Sequence, residues 1–92
     1  MDLNKIKTIV KDAFKKYYTT DEKLVYLGGS DHINHCGFII TDSGAYEVVA
    51  KFNVSPTNVY EATHYRANSR WQLEHWEKFV EYIEKALYQG DK

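Results

Sequence analysis

Residues 68–90, NSRWQLEHWEKFVEYIEKALYQG, form the longest periodic stretch of the chain. Leu73, Trp76, Val80, Ile83 and Leu87 recur at alternating steps of three and four, which places them on one apolar stripe of an α-helix. Phe79, Tyr82 and Ala86 widen that stripe on one flank. Ser69 is placed to cap the helix, because its hydroxyl can accept from the amide of Gln72, whose side chain can reach back. Asn68 competes for that role. Gly90 suits the other end, since glycine adopts positive φ at low cost. The spacing predicts one long amphipathic helix over 68–90. With Trp71 and Trp76 on or near its apolar side, that helix requires a covering layer.

The upstream sequence supplies the layer. Leu3, Ile6, Val10, Ala13, Phe14 and Tyr17 follow helical spacing, with Asp2 as N-cap, and this first helix is expected to end near Tyr18. Leu24 to Leu27 reads as a short strand closed by a turn at Gly28-Gly29, and Phe38 to Thr41 as a second strand. Asp42-Ser43-Gly44 carries tight-hairpin chemistry. In the third strand, Ala45 to Phe52, alternation directs Tyr46, Val48, Ala50 and Phe52 one way, and Glu47 and Lys51 the other. Pro56 interrupts the pattern, and Val59 to Tyr65 is expected to form a fourth strand, with an extended loop as the alternative. The order predicts one α+β domain over 1–92. Its N-terminal helix and long C-terminal amphipathic helix pack on one face of a three- or four-stranded antiparallel meander, giving two layers.

Composition narrows the function classes. The chain has 92 residues, 43% hydrophobic and 15% aromatic, enough apolar material for one core. A formal net charge of −1 argues against a general nucleic-acid binder that works by neutralising phosphates. Five lysines within residues 2–16 leave association with nucleic acid as a second alternative, carried by a basic first helix. Cys36 is the single cysteine, so no internal disulfide forms, which fits a reducing cytoplasm. Lysines interrupt the N-terminal segment where a signal peptide would be apolar, and no run approaches the ~20 apolar residues of a membrane span. These features read as a cytoplasmic protein with no membrane partner.

Chemistry-bearing residues concentrate in Asp31-His32-Ile33-Asn34-His35-Cys36. His32, His35 and Cys36 are competent zinc ligands, and His64 or His75 could complete a set, so a metal protein or small enzyme centred on this loop is the alternative function. The spacing matches no familiar zinc module, and ordinary turn chemistry accounts for the same residues. Cys36 beside a histidine also fits a nucleophile in principle, but no oxyanion hole accompanies it, and a buried inert thiol is the expected state. Gly28-Gly29-Ser30 lacks the lysine and hydroxyl spacing of a phosphate loop. Glu74, Glu77, Glu81 and Glu84 form an acidic stripe explained by solvation and by pairing to Lys78 and Lys85. No catalytic set and no cofactor is expected.

The segment from Tyr60 to Trp71 differs in kind. It gathers Tyr60, Tyr65, Arg66, Arg70 and Trp71, the residue types most enriched in binding hot spots. The competing account folds Trp71 onto the core and leaves the arginines solvated. The stretch Leu27-Gly28-Gly29-Ser30-Asp31 through Phe38-Ile39-Ile40-Thr41-Asp42-Ser43-Gly44-Ala45-Tyr46-Glu47-Val48, in this helix–meander–helix layout, resembles small phage-encoded anti-CRISPR inhibitor proteins. That resemblance implies a protein that acts by binding another protein, some such inhibitors being acidic mimics of DNA. The leading expectation is a small non-enzymatic protein-binding module, of the kind that inhibits a host defence complex. It would bind another protein, or a second copy of itself, through Tyr60, Tyr65, Arg66, Arg70 and Trp71.

Overall fold

The computed structural model describes residues 3–18, 21–30, 35–42, 44, 47–66 and 70–89; the side chains of Ser30, Arg70, Trp71 and Gln89 are not among the described parts. Helix α1 spans Leu3–Tyr17 and buries Ile6, Val10 and Ala13, spaced four and three apart as an amphipathic helix requires. Lys15 and Lys16 in its last turn complement the helix dipole. The amide of Tyr18 still donates to the Phe14 carbonyl at 2.9 Å, closing the helix where expected. The expected caps at Asp2, Asn68, Ser69 and Gly90 lie outside the described residues.

Four strands follow: β1 (Glu22–Ser30), β2 (His35–Asp42), β3 (Val48–Val54) and β4 (Val59–His64). They form one antiparallel sheet in the order β1-β2-β3-β4, so the fourth strand is present. Cys36, Phe38 and Ile40 of β2 and Ala50, Phe52 and Val54 of β3 face the helices and are buried. Phe52 anchors the core, with its ring centroid 5.4 Å from Phe38, 5.6 Å from Trp76 and 5.4 Å from Phe79. Helices α1 and α2 cover this face together, giving the α+β two-layer arrangement.

Three register shifts modify the expected strands. Between β2 and β3, Ile40 pairs with Ala50 but Thr41 pairs with Val48, so Val49 is the extra residue of a bulge. Val49 is therefore buried and Val48 is 40% exposed, reversing the alternation expected for Val48. Gly28-Gly29 does not turn the chain; both residues lie within β1, beside a shift at Leu27. Gly28 takes φ +123°, which only glycine adopts cheaply. The third shift lies in β4 at Glu61, with φ +52°. Pro56 occupies a turn in which the Ser55 amide donates to the Asn58 carbonyl at 2.9 Å, and Ser55 Oγ accepts from the amides of Thr57 and Asn58.

Helix α2 runs over Arg70–Glu84 and continues as a π-helical turn, Lys85–Gln89, rather than as one uniform helix. Trp76, Phe79, Ile83 and Leu87 are buried, but Leu73 is 43% exposed. At that level of the helix it is His75 that meets the rings of Tyr17 and Tyr18, so the packed seam runs through His75 and Trp76 and turns away from Leu73. The wider final turn delivers the Tyr88 hydroxyl to the Ser55 carbonyl at 2.7 Å. Partial burial, with the Glu84 charge secondary, pushes the Tyr88 phenol up to about 12. No described helix is long and apolar enough to cross a membrane.

Candidate binding surfaces

The face of the sheet opposite the helices carries several exposed apolar side chains. Val25, Ile39, Lys51 and Thr63 pair across all four strands and lie in one row on that face. Leu27 and Val48 extend the apolar area, 50% and 40% exposed, and Tyr65 is 60% exposed. An open groove of about 580 Å³ runs between Ile39, Glu47, Val48, Lys51, Tyr65 and Arg66. The sequence offers a signal for this in the runs Phe38-Ile39-Ile40 and Val48-Val49-Ala50. Apolar residues at consecutive positions of a strand must place some of them on each face.

Arg66 forms one wall of the groove and is held there. Its Nη1 donates to Asp42 Oδ2 at 2.8 Å and its Nη2 to Glu47 Oε2 at 2.6 Å. These two carboxylates flank the β2–β3 connection, where the Asp42 amide donates to the Glu47 carbonyl at 2.8 Å and Asp42 Oδ1 accepts from the Gly44 amide. Both charge-assisted bonds hold Arg66 protonated above its ordinary range. Tyr60 pairs with Asn53 on the open face and is half-buried. Of the expected binding residues, the structure thus gathers Tyr60, Tyr65 and Arg66 on or beside one face. The side chains of Arg70 and Trp71 lie outside the described residues.

His32 also lies outside the described residues. His35 and Cys36 are consecutive in β2 and therefore point to opposite faces. Cys36 is fully buried in the core. Among the described residues, no three His, Cys, Asp or Glu side chains converge closely enough to hold a metal ion.

A second concavity lies at the Asp42 end of the sheet, on the helix side. It is a partly enclosed cleft of about 90 Å³, lined by Tyr17 and Tyr18 from the end of α1, Glu22 from β1, Val49 from the bulge, His64 and Arg66 at the end of β4, and Gln72 and His75 from α2. The His75 ring stands edge-on to Tyr17 at 5.8 Å and to Tyr18 at 5.2 Å, and His64 packs against Trp76 at 5.4 Å. Burial lowers the affinity of His64 for a proton, and the neighbouring His75 and Arg66 add to the effect. Burial also lowers His75, opposed by Glu22 and aided by Lys78. Burial, then the Glu22 charge, raises the Tyr18 phenol far above its ordinary value. Tyr18 Oη and His64 Nδ1 are enclosed and find no hydrogen-bond partner among the described residues. No local motif announces this cleft, because its lining comes from both helices and three strands.

No family model, no curated protein and no solved structure matches the chain.

Proposed function

We propose that the protein is a small non-enzymatic binding module that seats a segment of another protein on the open face of its sheet. The observation that carries this reading is the apolar row of Val25 and Ile39, extended by Leu27, Val48 and Tyr65 and bounded by the fixed Arg66. Exposed aromatic and aliphatic side chains that share one concave face are the usual marks of a contact surface. Arg66, already committed to two carboxylates, shapes the groove rather than reaching out of it. Lys51 sits on the groove floor, and its ammonium favours a partner segment that pairs apolar residues with an acidic one. Inhibition of a host complex is one form such binding would take.

The test is photocrosslinking in the protein's own cells, with a benzoyl-phenylalanine placed singly at Val48, at Tyr65, and at exposed Lys11 on α1 as control. Positions 48 and 65 are expected to yield a discrete heavier species that Lys11 does not, and Ile39→Asp is expected to abolish it. The mass identifies the partner, a doubled mass being a second copy. Equal labelling from all three positions, or none, overturns the proposal.

A further inference from the structure

We propose that the outer edge of β1 pairs antiparallel with β1 of a second copy of this chain, joining the two sheets across a twofold axis at Val25. Val25, Tyr26 and Leu27 are exposed large hydrophobic residues at consecutive positions of this strand. Val25 stands on the open face, whereas the Tyr26 ring lies on the helix side, 5.6 Å from Phe38 and beneath the Lys7 ammonium at 4.7 Å. A partner lying on either face alone leaves part of this run in water. A strand laid along the edge covers both sides at once. β1 is terminal in the sheet order, and among the described residues no strand pairs with its outer side. From Glu22 to Tyr26 it keeps an unbroken register with β2. The other terminal strand, β4, is blunted. It has six residues, its exposed positions are Glu61, Ala62 and Thr63, and Glu61 interrupts the ladder at φ +52°.

Backbone direction and side-chain pattern select the register. In an antiparallel sheet each residue turns its amide and carbonyl to the same side, and successive residues alternate. The Asp42 amide bonds toward β3, at the Glu47 carbonyl. Thr41 and Ile39 therefore bond toward β1, and their partners Lys23 and Val25 turn back to them. Leu24 and Tyr26 direct their backbone groups away from β2. Antiparallel pairing of Leu24 with Tyr26 of the second copy sets Val25 opposite its own counterpart and Lys23 opposite Leu27. Apolar side chains then meet apolar side chains or the aliphatic stem of Lys23, and no like charges are opposed. An axis at Lys23 sets two ammonium groups against each other, and an axis at Leu24 sets Lys23 against Val25 and Glu22 against Tyr26. Centred on Val25, the strand is its own complement, which is the requirement of a twofold contact between identical chains. The bulge at Leu27 limits the seam to five residues a side, so the dimer is weak and depends on concentration. Val48 and Tyr65 lie beyond β2 from this seam, so it stands independently of what the groove binds.

The experiment is sedimentation equilibrium of the full chain from about 10 μM to about 1 mM, a range that reaches weak dimers. The wild-type mass is expected to rise toward that of a dimer as concentration increases. Val25 is 39% exposed, so the monomer accommodates a charge there. Val25→Lys and Val25→Glu, studied separately, each set like charges across the axis and are expected to weaken association by at least about tenfold. An equimolar mixture of the two variants is expected to associate again, and high salt to reverse that recovery. Only a contact in which residue 25 faces its own copy gives this pattern. Amide exchange of the wild type supplies a second readout that survives misfolding of a variant: the Leu24 amide is expected to slow as concentration rises. A wild type that stays monomeric throughout overturns the proposal. So does a dimer that both variants preserve, a mixture of folded variants that fails to associate, or dimerisation that leaves exchange at Leu24 unchanged.

Discussion

Arg66 Nη1 lies 2.8 Å from Asp42 Oδ2, an ion pair between the end of β4 and the far end of β2, with β3 running between those two strands. The same guanidinium reaches Glu47 at 2.6 Å. One planar fork thus ties both stems of the β2–β3 connection to the chain that leads into α2. Lysine cannot reproduce this, because a single ammonium lacks two donors in fixed geometry. Arg66→Ala is expected to speed amide hydrogen exchange at Asp42 while leaving the amides of Phe38 and Phe52 unchanged. Arg66→Lys should recover only part of the protection. Uniform acceleration across the sheet would show that Arg66 supports the whole fold.

Phe52 touches Phe38, Trp76 and Phe79 and is fully buried. Its removal strips one side of the contact between sheet and α2 and leaves a cavity that its three aromatic neighbours cannot fill by small shifts. Phe52→Ala is expected to destabilise the domain by about 3–5 kcal/mol, read as the change in the urea unfolding midpoint at constant slope. A loss below about 1 kcal/mol would mean that the core collapses around the site.

The Cys36 thiol faces the same core and has no exposed surface. Alkylation then requires opening of β2. Iodoacetamide is expected to react with native protein at least ~100-fold more slowly than with the urea-unfolded chain, corresponding to an opening cost of about 3 kcal/mol. Rapid labelling of native protein would instead return Cys36 to consideration as a reactive group.

Local periodicity made some of this architecture readable and left other parts hidden. The spacing of Trp76, Ile83 and Leu87 fixes α2, and the alternation of Phe38 with Ile40 and of Ala50 with Phe52 fixes the core face of the hairpin. Bulges leave no such trace. The extra residue at Val49 inverts Val48, and Gly28-Gly29 reads as a turn although the chain continues straight through it. Leu73 matches the stripe by spacing, yet its place in the seam goes to His75, because Tyr17 and Tyr18 arrive from α1 at that level. Arg66 carries hot-spot chemistry by composition, but its carboxylate partners are distant in sequence and only the fold brings them together. The cleft has the same origin.

His64 and His75 give the fold itself a dependence on pH. Both have native proton affinities below the ordinary imidazole value of 6.5, chiefly through burial. Above that value the imidazoles are neutral in native and unfolded chains alike, and they make no difference. Below it the unfolded chain binds more protons, so stability falls as pH falls from about 6.5 toward the lower native values. Urea midpoints measured at pH 7.5, 6.0 and 5.0 are expected to decline in that order. His64→Gln and His75→Gln should each flatten the decline, whatever they do to stability at pH 7.5. A profile that stays flat in the wild type and drops only below pH 5 would place the dependence on carboxylates instead.

Gly28 sits at φ +123° inside an edge strand, a backbone conformation outside even the small left-handed region open to other residues. A Cβ placed there meets nothing within 4 Å, so there is no steric collision to confuse the outcome. Any cost of Gly28→Ala therefore comes from the backbone alone. About 1–3 kcal/mol of destabilisation is expected, either as strain or as a shift of the β1 register that removes the bulge at Leu27. The two are separable by amide exchange and cross-strand contacts. Strain leaves the Tyr26–Phe38 and Gly29–Cys36 pairings in place and lowers the unfolding midpoint. A register slip instead moves the strand residues beyond the bulge to the opposite face, which would turn Gly28 from a local accommodation into the residue that holds β1 in register.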